Sequence, residues 1–270
     1  MTDCLSKNKE NCKRITGINK IGLYTLIRRE VLRFVSVYTQ TIVAPMVTTL
    51  MFYTIFALAF GGAGRELNGV SFMAFLAPGL IMMTMVQNAF ANTSSSLVIS
   101  KVQGNIVDVL MPPLSAMEIF IGYAVGSVFR GLVVGLCTSL ALSIFAPVHI
   151  HSIGVIFIFA LLGTLMLGSL GIAAGIWSDK FDHIAAVTNF IVTPLTFLSG
   201  TFYNIEVLPG VWQGIAHFNP FFYMIDGFRY GFIGQADSHI GIGIAVLMTC
   251  NVLLALLSYR MIKTGYKIKS

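Results

Sequence analysis

Long apolar runs alternate with short polar connections along the chain, at residues 34–60, 70–91, 119–146, 153–177, 184–201 and 240–262. At about 1.5 Å rise per residue, a hydrocarbon core of ~30 Å needs roughly 20 apolar residues. Each run is therefore read as a membrane-spanning helix, and the pattern predicts an all-α membrane protein of six transmembrane helices. The run 184–201 is the shortest, with Pro194 in its middle. Pro45, Pro78 and Pro194 are read as kinks, because neighbouring helices in a membrane satisfy the backbone groups that proline frees.

Three segments depart from a plain six-helix count. In residues 19–33 and the Phe34 that follows, Leu23, Tyr24, Ile27, Val31 and Phe34 form one helical stripe, with Thr25, Arg29 and Arg33 opposite and Arg28 flanking. That pattern predicts an interfacial helix with its arginines toward headgroups; a solvated juxtamembrane stretch is the alternative. In the second, residues 101–111, Val102, Ile106, Val109 and Leu110 share a face, with Lys101, Asn105 and Asp108 on the other. Pro112 and Pro113 end this short helix, and Ser115 with Glu118 reads as a capping box that starts the next one. Such a helix suits either docking a cytoplasmic partner or resting on the membrane surface. The third, residues 202–239, carries ten aromatic residues between Phe202 and Phe232 together with Pro209, Gly210, Gly214, Pro220 and Gly227. It reads as short broken helices dipping into the outer leaflet, or as an ordinary aromatic belt.

Composition strengthens the membrane reading. The chain is 56% hydrophobic and only 10% charged, against about 25% charged in ordinary soluble domains. A soluble enzyme, a disordered chain and a free nucleic-acid binder are excluded. The net charge of +6 serves orientation. Basic residues crowd both the N-terminal tail and the C-terminal end, so both termini are placed in the cytoplasm with an even number of spans. Six spans then leave only Arg65 and Arg229 of the 17 basic residues outside. The four cysteines make no framework, since Cys4 and Cys12 lie in a polar tail and Cys137 and Cys250 inside apolar runs. The first 33 residues are too polar for a signal-peptide core, and none is expected to be cleaved.

Several chemistries are missing from the sequence. There is no P-loop and no Gly-Lys pair, so no nucleotide binds here through that motif. His149 and His151 flank a short turn without further ligands, and Ser94, Ser95 and Ser96 lack a partnering base. No Asp or Glu lies near the centre of any run, which disfavours coupling to a proton or sodium gradient. Arg130 is expected near the cytoplasmic boundary, snorkelling to headgroups or a neighbouring carboxylate, with substrate contact as the alternative. The glycine pairs Gly122/Gly126, Gly131/Gly135 and Gly171/Gly175 favour close intramolecular helix packing. A span bundle with no catalytic, nucleotide or ion site but a docking-like helix is read as a transport subunit driven by a separate ATPase. An ion-gradient-driven carrier and a non-transporting scaffold or membrane enzyme are the alternatives.

The run Leu198-Ser-Gly-Thr-Phe-Tyr203, followed by Leu208, Pro209, Trp212, Asn219, Pro220, Tyr223, Asp226 and Arg229, resembles the signature of type-2 ABC transporter permeases. These are the membrane subunits of drug, capsule, O-antigen and nodulation-factor exporters. Asn204 stands where that family commonly has proline, which implies a local change in the turn. The resemblance implies a bacterial inner-membrane protein in which two permease copies, most simply a homodimer in membrane lipid, meet two cytoplasmic ABC ATPase subunits. ATP and Mg would be bound by those partners, with no cofactor on this chain and no nucleic acid. The exported solute would be hydrophobic, lipid-linked or glycan in type. Carried onto this sequence, ATPase coupling falls to Val102, Gly104, Ile106, Asp108, Val109 and Leu110. An external gate falls to Pro209, Asn219, Pro220, Asp226 and Arg229, with Asp226 and Arg229 expected to pair. Neutral side chains on the first, second and fifth spans, namely Gln40, Thr48, Gln87, Asn88 and Asn189, are the expected substrate path.

Overall fold

A computed structural model describes residues 18–60, 66–67, 69–145, 149–203, 205 and 209–267. The chain is an all-α membrane protein. Among the described residues, five helical segments are long and apolar enough to cross a bilayer: Thr39–Ala59, Phe72–Val102, Ala116–Leu142, Ile153–Trp177 and Ile240–Thr264. In chain order the helices are α1 (Lys20–Val35), α2 (Ala44–Phe60), α3 (Phe72–Val102), α4 (Ile106–Leu110), α5 (Ala116–Leu142), α6 (Ile153–Trp177), α7 (Phe181–Val187), α8 (Thr193–Phe197), α9 (Gly210–Phe218), α10 (Pro220–Ile233) and α11 (Ile240–Thr264). Two-residue strands, Glu66–Leu67 and Val70–Ser71, pair antiparallel before α3.

Local chemistry sets several boundaries. The Ser71 hydroxyl accepts from Ala74 N–H at the start of α3, and Ser115 and Glu118 close a capping box on α5. Asn219 caps α10 with Pro220 in its first turn, and Gly234 ends that helix in the left-handed region. Wide helical turns at Thr39–Val43 and Thr188–Val192 lie immediately before Pro45 and Pro194. A proline cannot donate to the carbonyl four residues back and its ring crowds that carbonyl, so the helix loosens there. Pro78 lies inside α3 without ending it.

Five boundaries differ from the sequence expectation. Residues 34 and 35 finish α1, and the chain turns at Ser36 and Val37 before the first span starts. The second span does not stop near 91: α3 runs 31 residues to Val102. The helix expected over 101–111 is thereby reduced to α4, a little over one turn. The fifth run is helical from Phe181 to Phe197 in three joined pieces, about 26 Å at 1.5 Å per residue, while residues 198–201 of the expected span have left the helix. Finally, α5 ends at Leu142; residue 146 lies outside the described residues.

The core sits around α3, whose Leu76, Leu80, Met82, Val86, Ala89, Phe90 and Val98 are buried. It packs most extensively against α6 and α5. The glycine faces explain how close these helices come. A Cβ at Gly171 would stand 2.6 Å from the Phe90 carbonyl oxygen, and one at Gly131 3.1 Å from that of Met85. Gly122 and Gly126 instead receive Leu26 and Glu30 of α1. Thus α1 runs along the first half of α5, burying Leu26, Glu30 and Phe34, and its packed face lies to one side of the stripe read from sequence.

Replacing Gly171 by Ala should cost about 1–3 kcal/mol, because backbone must shift. Replacing Gly154, which has open space around it, should be neutral or gain up to about 1 kcal/mol from helix propensity. Unfolding of the purified protein in detergent checks both.

Candidate functional site

At one end of α3, Gly104 (φ +75°) reverses the chain into α4, a conformation that only glycine adopts freely. The expected coupling residues then divide. Val109 is buried with Leu26, Leu97, Ile119 and Phe120, and Ile106 packs partly against that cluster. Val102, Gly104, Asp108 and Leu110 remain exposed, as do Val107 and Met111, the latter 77% exposed. Sequence periodicity missed Val107 and Met111, because over barely one turn no helical stripe distinguishes the anchored side from the offered one.

This turn is braced from both sides. The Glu118 carboxylate accepts from Ser115 N–H (2.6 Å) and from Asn19 N–H, so one side chain ties the start of α5 to the start of α1. The Lys101 ammonium donates to the carbonyls of Ile176 (2.8 Å) and Ser178 (2.7 Å) and reaches Asp179 (3.4 Å). Lys267 donates to Asp179 (2.9 Å) and to the Trp177 carbonyl (3.2 Å). The Lys267 hydrogen bond, followed by that of Lys101, holds the Asp179 carboxyl below the usual carboxylate range. The ends of α3, α6 and α11 therefore meet around Asp179, a cluster that residue spacing does not announce.

At the opposite end, Gly200 (φ +75°) turns the chain after α8. The Asn219 amide donates to the Leu195 carbonyl (2.7 Å) while its oxygen accepts from Phe221 N–H (3.0 Å). Arg229 donates to the Gly200 carbonyl (2.6 Å) and lies 3.7 Å over the Phe75 ring centroid. Asp226 accepts from Asp237 N–H (2.9 Å), Ser238 N–H (2.9 Å) and the Ser238 hydroxyl (2.6 Å). Asp226 and Arg229 therefore do not form the expected ion pair. The loop after α10 occupies the carboxylate, and the guanidinium reaches across to α3 and to the turn after α8. Pro209 is exposed; residues 204 and 208 of the signature lie outside the described residues.

The expected path residues differ in exposure. Gln40, Thr48 and Asn189 are exposed, Gln87 is half-buried and Asn88 is buried. The Thr48 hydroxyl donates to the Ala44 carbonyl of its own helix (2.9 Å). Asn88 has both ends engaged, donating to the Thr84 carbonyl (3.0 Å) and accepting from Arg130 (2.9 Å). Arg130 itself departs from expectation: it is buried and has no carboxylate partner among the described residues. Among the described residues no group of three or more His, Cys, Asp and Glu side chains is arranged to hold a metal.

Arg229→Gln should lower stability by about 2–4 kcal/mol, since a buried carbonyl loses a charged donor and Phe75 its cation. Asp108→Ala on the exposed turn should stay within about 0.5 kcal/mol. Denaturant unfolding in detergent compares them.

The family model for the ABC-2 type transporter matches residues 22–233. The inner membrane transport permease YadH of Escherichia coli (strain K12) is 36% identical over 250 residues, covering 93% of this chain and 98% of the relative. Nodulation protein J of Rhizobium leguminosarum bv. viciae is 26% identical over 188 residues, 67% of this chain and 71% of the relative. Nodulation protein J of Rhizobium meliloti (strain 1021) is 22% identical over 236 residues, covering 86% and 87%. With its span-length apolar helices and a family match over most of its length, this chain is a multi-pass transport permease and belongs to the ABC-2 type transporter family.

Proposed function

We propose that this chain is the permease subunit of an ATP-driven export system of the bacterial inner membrane. Two copies pair in the bilayer, and each presents α4 to one of two cytoplasmic ABC ATPase subunits, which bind the ATP and Mg. The observation that carries this reading is the exposed turn at the end of α3. It leaves Val102, Val107, Leu110 and Met111 outside while Val109 anchors it inside. A short apolar projection braced by Glu118 and Lys101 transmits a push to the helix bundle without bending.

The helical run from Phe181 to Phe197 serves as the fifth of six spans, with Pro194 allowing it to be short. Both termini are then cytoplasmic, and α9 with α10 forms the external re-entrant pair, broken at Asn219 and Pro220. The second copy covers the exposed apolar faces of the first and fifth spans, where Met51, Ile55, Leu58 and Phe190 lie. Closure of the ATPase pair drives the two α4 turns together, and the rigid body around α3 rocks to open outward. A solute of hydrophobic, lipid-linked or glycan type fits a seam whose polar side chains are neutral.

Gly104→Pro combined with Asp108→Arg should reduce co-purification of the ATPase at least about tenfold, equivalent to ~1.4 kcal/mol, and abolish coupled hydrolysis while the permease still inserts. Full retention of both overturns the coupling assignment. Transport lost with an uncoupler yet unchanged by ATP depletion would instead establish a gradient-driven carrier.

A further inference from the structure

Where α1 ends and the first span begins, α1, α3 and α5 enclose a polar cluster. Glu30, 1% exposed, accepts from the Ser96 hydroxyl (2.7 Å) and pairs with Arg33 (3.2 Å). Arg33 also donates to the carbonyl (2.7 Å) and side-chain oxygen (2.9 Å) of Asn92. One turn earlier on α3, Asn88 takes the single hydrogen bond of Arg130.

The donors left over decide the chemistry. Arg33 Nε, Asn92 Nδ2 and Arg130 Nε are buried with no hydrogen-bond partner among the described residues. All three are donors, so an acceptor satisfies them. Glu30 is the cluster's buried carboxylate and is committed to Arg33 and Ser96. The charge acting on Arg130 is the like charge of Arg33, although Arg130 is only 8% exposed. A guanidinium withdrawn from water without a counter-ion is costly, more so beside lipid. Gly126 lets Glu30 pack close against α5 beside Asn92: a Cβ there would stand 2.8 Å from the Glu30 Cβ and 3.6 Å from Asn92 Nδ2.

We propose that Arg130 and Arg33, with the amide of Asn92, hold the phosphate of a lipid-anchored anion at the junction of α1 and the first span. The forked donors of two arginines match the oxygens of a phosphate ester. The start of the first span is where a headgroup arrives, with the exposed apolar flank of that span beside it for the anchor. The anchor belongs either to a bilayer phospholipid or to the exported solute. In the second case the assignment rests on the export reading above.

The test uses the full-length permease in nanodiscs, without ATPase, so that it stands apart from coupling and transport. Photoreactive forms of phosphatidylglycerol, a polyprenyl phosphate and a phosphate-free diglucosyl diacylglycerol are compared as probes. Wild type should capture the phosphate lipids about tenfold over the glycolipid. Arg130→Gln should lose that preference and Arg130→Lys should keep part of it. Asn92→Ala, which keeps both charges, should weaken capture several-fold, guarding against misfolding of the arginine variant. Preference for the polyprenyl phosphate identifies the solute, and equal capture identifies a bilayer lipid. Equal capture of all three probes by wild type overturns the proposal, as does full retention by both Arg130→Gln and Asn92→Ala. Displacement by millimolar inorganic phosphate overturns the lipid anchor in favour of the free anion.

Discussion

The contact between the backbone of α3 and the glycine faces of α5 and α6 governs the rest of the molecule. Without side chains at Gly131, Gly171 and Gly175, three helices approach until carbonyl oxygens of α3 lie within about a van der Waals contact of the facing helix. That approach brings the Thr93 hydroxyl to the Gly168 carbonyl (2.9 Å). It also encloses Asn88, Asn92, Ser94 and Ser96 in protein. A helix carrying so many polar groups is expensive against lipid and inexpensive against other helices. Once enclosed, α3 is held along its length by α5 and α6.

Near its start α3 meets the turn after α8 and α10 through Gly79, Thr201 and Arg229. A Cβ on Gly79 would sit 2.9 Å from the Thr201 carbonyl oxygen. In the last turn of α3, Lys101 ties it to the end of α6, just before the turn into α4. Packing around α3 is densest against α6 and α5 and sparser against the first span and the Phe181–Phe197 run.

Hydroxyl groups within the spans carry less functional information than their polarity suggests. Thr48, Thr54, Thr138, Thr164 and Thr249 each donate to the carbonyl four residues earlier in the same helix. Such bonds satisfy the hydroxyl without a neighbour or a ligand. Charged groups behave differently, because a guanidinium cannot be satisfied by its own helix. Arg33, Arg130 and Arg229 each reach another element and mark the junctions.

Short-range chemistry was legible in the sequence: the apolar runs, the Ser115–Glu118 cap, the break at Asn219 and Pro220, and the close-packing glycines all follow from periodicity and capping. Only the tertiary structure decided where polar side chains found partners. Arg229 chose the Gly200 carbonyl 29 residues away, and Asp226 chose the backbone of the following loop. The continuation of α3 through Val102 was hidden for a related reason, since the polar stretch after Ala91 looks like a loop until α1, α5 and α6 cover it. Span formation answers to the average apolarity of about 20 consecutive residues. A hydrogen bond in a dry interior answers to whichever unsatisfied group the fold brings within 3 Å or so, and that distance is set by packing between segments far apart in the chain.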